Sequence, residues 1–351
     1  MVRLFTAGGI IIDNVVTADG SVHRETMGGN AVYSAAGARL WLDDVGMVGV
    51  VPLNYPVHWL KDLEVAGVDT RGVHVLDEAV TCSEWFFYRN DGSRADHLYA
   101  EPSAYETFGL TGSSLTVAQA AGFETHLRSR PSGGKDFAAF RRAHPVQSVH
   151  VPPAFRSAQG VHLAPNEAVA QQKMARDLKV PGRRITLDPG SNAAQIKARS
   201  LTALFACLDA VLPSEKELAI MAPGDSREEG LLRLIRAGVP IAAVKLGAQG
   251  AMLQTALSTS CLRVPAFSVR AKDATGAGDA FCGGFLAGLV ATGDALSAAL
   301  CGTVSASFAV EDFGPFHLLA ASRTEAASRF RELAGQCHAP DVEKRLAAIL
   351  G

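Results

Sequence analysis

Short apolar runs alternate with longer segments of helical patterning along most of the chain. The apolar runs predict strands over Val45–Val51, Gly160–Leu163, Arg184–Leu187, Ala210–Leu212 and Ile241–Leu246. The longer segments predict helices over Ala31–Leu42, Val57–Ala66, Ala168–Leu178, Ser226–Ala237, Ala277–Thr292 and Ala295–Ala309. Strands alternating with helices of this length make βαβ units. The expected fold class is therefore α/β: a doubly wound, mostly parallel sheet with helices on both faces. The stretch Thr81–Tyr99 breaks the pattern. It is β-rich and turns at Asn90-Asp91-Gly92, which predicts a β-hairpin set into the α/β chain as a lid or small subdomain. The region Glu101–Pro145 is polar and suggests no element beyond a loop at Ser132–Lys135.

Length and charge narrow the classes. A chain of 351 residues can hold one large α/β domain or two ordinary ones. A net charge of −2 argues against a nucleic-acid-coating or membrane-surface protein. The longest apolar helical stretch, Ala280 to Ala291, is too short to span a bilayer, and Asp279 stands at its start. Met1-Val-Arg-Leu-Phe5 leads straight into a strand-like run, so no signal peptide is expected. The six cysteines, Cys82, Cys207, Cys261, Cys282, Cys301 and Cys337, contain no C-x-x-C pair, and the ten histidines no H-x-x-x-H pair. Neither a zinc site nor a redox pair is indicated, and a reduced cytoplasmic protein is expected.

The candidate chemistry sits at the start of the helix Ala277–Thr292. Gly276, Ala277 and Gly278 precede a long apolar run, and their backbone N–H groups would be free to point at an anion. Minimal side chains let a phosphate approach closely. Asp279 then lies in the first turn. A carboxylate beside a phosphate cradle repels its ligand unless it has a task, and the task available is to take a proton from an attacking hydroxyl. Gly283, Gly284 and Gly288 would let the helix pack tightly against the sheet. The bland alternative is a glycine-rich helix start with Asp279 compensating the dipole. A Walker loop is excluded, because Gly134-Lys135 is followed by Asp136; a dinucleotide fingerprint is excluded by Phe281.

The segment Asp273-Ala-Thr-Gly-Ala-Gly-Asp-Ala-Phe281 resembles the C-terminal signature of the PfkB, or ribokinase-like, carbohydrate kinases. Four further segments resemble that family in order. Gly8-Gly9-Ile-Ile-Ile-Asp13 is similar to its first strand and following acid. Met27-Gly28-Gly29-Asn30 is similar to its glycine pair before a helix. Val211-Leu-Pro-Ser214-Glu-Lys-Glu217 is similar to its N-x-x-E strand end, and Val244-Lys245-Leu-Gly247-Ala-Gln-Gly250 to its nucleotide-side turn.

The resemblance implies a single kinase domain over residues 1–351, with lid strands from about 11–30 and 81–100. It implies transfer of the ATP γ-phosphoryl group to a primary hydroxyl of a sugar or nucleoside. It makes Asp279 the general base and Gly276, Ala277 and Gly278 the anion hole. Asp13, Gly28, Gly29 and Asn30 would hold substrate hydroxyls. Lys245, Gly247, Gly250 and Ser214 would face ATP, and Glu217 would order Mg2+ through water. Asp273, with carbonyls near Thr275, Ala309 and Gly314, would bind a monovalent cation such as K+. Three departures stand out: Ser214 replaces the usual Asn, no Arg closely follows Asp188-Pro-Gly-Ser-Asn192, and Lys245 stands where Thr is frequent.

Other residues carry weaker signals. In the hairpin, Glu84, Trp85, Phe87, Arg89 and Arg94 could cover a sugar or meet an anion; the blander reading is a core-facing or homodimer-forming surface. His162 and Asn166 end a strand at the expected crevice, where a lone His is more often a structural partner. Asp225, Arg227, Glu228 and Glu229 suggest a solvated helix start. Two rival readings are a nucleoside kinase of the same fold and a non-catalytic sugar-binding relative.

Overall fold

The computed structural model describes residues 1–130, 135–195 and 198–351. Among these, thirteen strands form two sheets. The strands are β1 (Leu4–Ala7), β2 (Ile11–Val16), β3 (Val22–Gly28), β4 (Val45–Val51), β5 (Val68–Val75), β6 (Ser83–Tyr88), β7 (Arg94–Tyr99), β8 (Gly160–Leu163), β9 (Arg184–Leu187), β10 (Ala210–Val211), β11 (Ile241–Lys245), β12 (Ala251–Thr255) and β13 (Leu262–Val264).

The large sheet has nine strands in the order β13-β12-β11-β10-β9-β8-β1-β4-β5. It is parallel from β11 through β5, with Leu4 opposite Val45 on one side and Gly160 on the other. The last two strands, β12 and β13, run antiparallel. Central strands such as β4 are buried along their whole length, which is why they are continuously apolar rather than alternating. The expected strands are all present, with Ala210–Leu212 and Ile241–Leu246 each one residue shorter. Ala277–Thr292 and Ala295–Ala309 match expectation, three others differ by capping residues counted in, and the expected Ala31–Leu42 is Asn30–Arg39, its last turn ending before Trp41 and Leu42. Ser226, for example, is the N-cap of Arg227–Arg236, its side chain accepting from Glu229 N.

The helices Ala277–Thr292 and Ala295–Ala309 are apolar on nearly every face and lie deep in the core. The glycines of the first do not pack on the sheet as expected. A side chain at Gly283 would strike the backbone of Ser34 in the helix Asn30–Arg39, and one at Gly288 would lie 2.8 Å from Ala298 Cα. They serve close helix–helix approach instead, and this fixes the start of Ala277–Thr292 against the start of Asn30–Arg39.

The small sheet has the order β3-β2-β6-β7, with β2 and β6 parallel and the outer pairs antiparallel. It is built from the two segments expected to supply the lid, and the hairpin turns where Asn90-Asp91-Gly92 placed it. Alternation divides β6 between two faces. Trp85 and Phe87 enter a second apolar core with Val16, Ala95 and Leu98. That core is closed by the region that gave no sequence signal. The helices Ala104–Thr107 and Val117–Ser129 lay Tyr105, Phe123 and Leu127 over the sheet, with Phe123 edge-on to Trp85 at 4.9 Å. The expected loop at Ser132–Lys135 falls, except for Lys135, outside the described residues.

Candidate active site

The other face of the small sheet looks toward the large one. Asp13, on β2, is 2% exposed, and its Oδ1 makes no hydrogen bond. Burial first, and then the neighbouring Glu84 and Asp273, hold its pKa well above the carboxylate range. A side chain on Gly28 would occupy the place of the Asp13 carboxylate, and Gly29, at φ 103°, adopts backbone that favours glycine. Asn30 is fully engaged: Gly9 N donates to its Oδ1 at 2.7 Å and its Nδ2 donates to Pro165 O at 2.9 Å. It ties the β1–β2 turn to the end of β8. Of the four expected substrate residues, the unpaired acceptor is therefore Asp13.

The Gly-rich segment forms the expected helix start. Gly276 is left-handed at φ 73° and lies against the Tyr33 ring, where no Cβ would fit. Ala277 and Gly278 open the helix, and Asp279 is in its first turn. Burial, and next the neighbouring Asp188, push the Asp279 pKa up to about 7, against the opposing charges of Lys245 and Arg94. The Lys245 ammonium pairs with Asp188 at the end of β9 and lies 3.6 Å from Cys282 Sγ, one turn beyond Asp279. Glu217 joins the group from the side; burial and Asp188 raise its pKa too.

Ser214 and Glu217 are paired with one another. Ser214 N donates to Glu217 Oε2 at 2.6 Å and Glu217 N donates to Ser214 Oγ, a capping box at the start of the helix Glu215–Met221. The S-x-x-E spacing announces this box in the sequence, and it explains how serine can stand at this position. Gly247 and Gly250 turn β11 into β12, both at positive φ, and a Cβ on Gly250 would strike Val264 O.

Asp273 is 4% exposed, and its Oδ1 accepts from Thr275 N at 2.9 Å and Thr275 Oγ1 at 2.7 Å. The same Thr275 hydroxyl meets Tyr88 Oη, from β6, at 2.8 Å. Lys272 N donates to Val310 O, next to Ala309, and Gly314 borders Thr26. His23 of β3 stacks on Phe313 at 3.4 Å. Thus the small sheet touches both loops that flank the cradle.

Several hairpin residues separate by face. Trp85 and Phe87 are core, and Arg89 pairs with Glu124 of the covering helix at 2.8 Å. Glu84 accepts from His97 N at 2.6 Å, and Arg94 lies over Phe86, 4.9 Å from its ring centre, on the side of Asp13, Asp273 and Asp279. His162 is a buried structural residue: Nδ1 meets Thr186 Oγ1 at 2.9 Å, and burial lowers its pKa to about 3. Asn166 donates to Val146 O. Asp225 pairs with Arg233, Arg227 with Glu215 and Glu228 with Arg263, while Glu229 caps its helix, so that group is a solvated helix start. Tyr33 and Tyr88 were not singled out from the sequence. The alternation in Glu84-Trp85-Phe86-Phe87-Tyr88 was the signal available for Tyr88.

Comparisons with known proteins agree with this geometry. A family model described as "pfkB family carbohydrate kinase" matches residues 134–319. An ATP-dependent ribose-1-phosphate kinase from Halopiger xanaduensis is 28% identical over 305 residues, covering 84% of this chain and 87% of that protein. A cytidine kinase from Thermococcus kodakarensis is 27% identical over 293 residues, covering 82% and 88%. The structure of a nucleoside kinase from Burkholderia thailandensis in complex with inosine superposes with a TM-score of 0.67 at 18% identity, covering 95% of this chain and 98% of that one. No helix among the described residues is long and apolar enough to cross a membrane. With a nine-stranded α/β sheet, a glycine cradle at a helix start and a matching model over more than half its length, the chain belongs to the pfkB family of carbohydrate kinases.

Proposed function

We propose that the protein transfers the γ-phosphoryl group of ATP to a hydroxyl of a small sugar or nucleoside, with Asp279 as general base. The observation that carries this reading is a buried carboxylate in the first turn of a helix that opens with Gly276, Ala277 and Gly278, where burial and then Asp188 push its pKa up to about 7. A base poised near neutral pH suits proton removal from an alcohol. The amides of Gly276 and Gly278 suit the charge on the transferring phosphoryl group, while that of Ala277 turns back to Ala274 O at 3.3 Å. Asp13, buried with a free oxygen, suits a substrate hydroxyl, and the Gly28–Gly29 pair leaves room for a ring. The whole chain is one kinase domain in this reading, and the small sheet is its lid. The cytidine kinase relative supports a nucleoside acceptor, and the ribose-1-phosphate kinase relative a sugar acceptor.

Mg2+ fits the oxygen donors at this end of the crevice. Among the described residues no group of three or more His, Cys, Asp and Glu side chains could hold a metal ion by itself. That accords with an ion that keeps its waters and is shared with substrate phosphates. Glu217, beside Asp188 and Asp279, would reach it through water. The bound ion would neutralise phosphate charge. Lys245, Ser214, Gly247 and Gly250 would line the nucleotide side. Asp273 would hold K+ with carbonyls near Thr275, Ala309 and Gly314. A homodimer through the lid would have to use the sheet's edges, because Phe123 and its neighbours already cover the outer face. Six free cysteines suit the cytoplasm.

Asp279→Asn tests the central assignment. Turnover should fall by orders of magnitude while Mg-ATP binding, followed by calorimetry, stays nearly unchanged. Equal turnover in the variant and the wild type would remove Asp279 as base.

A further inference from the structure

Lys245 is a buried cation in an unusual place. Its side chain is 12% exposed and its ammonium pairs with Asp188, which is 4% exposed. Lys245 ends β11 and Asp188 directly follows β9, with β10 between the two strands. Lys245 Nζ stands 3.7 Å from the position a Cβ on Gly278 would take, so it lies beside the cradle. The positive end of the helix Ala277–Thr292 disfavours a cation there, and burial disfavours it further. Burial works against its charge, yet Asp188 first, then Cys282, Glu217 and Asp279, hold its pKa well above the ordinary lysine value. Asp188 therefore keeps Lys245 charged at a spot where the helix itself repels it. An ammonium has three donors; Asp188 takes one and the Cys282 sulfur is a weak acceptor. A phosphoryl oxygen seated on the Gly278 amide would fall within reach of what remains.

We propose that Lys245 is a catalytic residue for phosphoryl transfer, its ammonium meeting the oxygens of the γ-phosphoryl group, and that Asp188 is the positioning residue that aims it. The proposal rests on the phosphotransferase reading above. The acceptor hydroxyl oxygen forms a bond to the γ-phosphorus. The bond from that phosphorus to the β,γ-bridging oxygen breaks, and its electron pair stays with ADP. The hydroxyl proton passes to Asp279 and then to solvent. Lys245 stays protonated throughout and gains contact as charge shifts onto the transferring group, so its effect belongs to turnover.

The experiment uses the full chain with Lys245→Met, Lys245→Arg and Asp188→Asn, beside Asp279→Asn. Lys245→Met should lower kcat about a hundredfold or more and shift the Mg-ATP dissociation constant less than about tenfold, as expected of a donor to developing charge. Lys245→Arg, which keeps the charge, should recover part of the loss. The acid limb of kcat/KM for the acceptor should move in opposite directions. Loss of the Lys245 charge removes a group that lowers the Asp279 pKa and moves the limb up; Asp188→Asn removes one that raises it and moves the limb down. Both shifts follow from charge alone and place the pair beside Asp279; a loss of kcat at nearly unchanged Mg-ATP binding, partly rescued by arginine, is what a purely structural ion pair would not give, and the arginine and asparagine variants keep the test sharp where the methionine variant folds poorly. Turnover within about threefold of wild type in Lys245→Met, with Asp279→Asn inactive, overturns the Lys245 assignment and leaves the kinase reading intact. A wild-type enzyme that phosphorylates no sugar or nucleoside overturns both.

Discussion

Asp273 is a buried acid whose charge has little support from the protein. Burial raises its pKa, and its nearest stabilising partners are the two hydrogen bonds from Thr275, with Arg94 and His23 acting from farther away. A carboxylate so placed gains from a bound monovalent ion, and Thr275 would feel the ion through the same oxygen. Turnover should be several-fold higher in K+ than in Na+ salts, and Asp273→Asn should abolish the difference. A wild-type enzyme indifferent to the ion would remove the cation from Asp273 and leave Asp279 untouched. At this scale the sequence was informative wherever one residue's type was forced by its own backbone or nearest neighbour. Gly276, Gly28 and Gly29 are of that kind. Lys245 and Asp188 are not: they stand 57 residues apart, and no local pattern pairs them. Ser214 and Glu217 show the intermediate case, where the spacing is visible in the sequence and serves two meanings, a helix cap and a ligand role.

Among the elements, the helix Val117–Ser129 was the least legible and has a clear structural task. Only Phe123 and Leu127 of its thirteen residues are buried, so its apolar stripe is too thin to register as helical periodicity. The Thr116–Gln119 capping box was the one local signal, and it sits in a stretch otherwise polar. By contrast, Ala277–Thr292 and the central strands are buried along most of their length, and their apolar runs gave their bounds to within a residue or two. Phe123 is fully buried and meets Trp85, Phe87, Tyr105 and Phe108. Phe123→Ala should destabilise the protein by about 3–5 kcal/mol, read by chemical denaturation. Because this core backs the sheet that carries Asp13, the acceptor KM should rise more than the Mg-ATP dissociation constant. A loss below about 1 kcal/mol would mean that the helix is not what covers the sheet.

Over the whole molecule, the crevice gathers acids whose folded pKa lies above the unfolded value, and this fixes the sign of the pH response. Asp13, Asp273 and Asp279 are all raised, with burial the first cause in each, and Asp279 reaches about 7. Unfolded, each would lose its proton near pH 4. Between those values the folded state holds protons that the unfolded state has released, so stability falls as pH rises. His97, raised by its hydrogen bond to Glu84, adds the same sign. Below about pH 6.5 His162 opposes them, because it stays neutral when folded and gains a proton when unfolded. The ligand-free protein should therefore melt at a higher temperature at pH 6.5 than at pH 8, with little further gain below, and Asp279→Asn should reduce that rise. Catalysis runs the other way. Asp279 must be ionised to accept a proton, so kcat/KM for the acceptor should drop on the acid side of about pH 7. Melting temperature and kcat/KM measured in the same buffers test both signs at once. If the melting temperature falls steadily from pH 8 to 6.5, the carboxylates of the crevice are not raised, and the base assigned to Asp279 loses its physical ground.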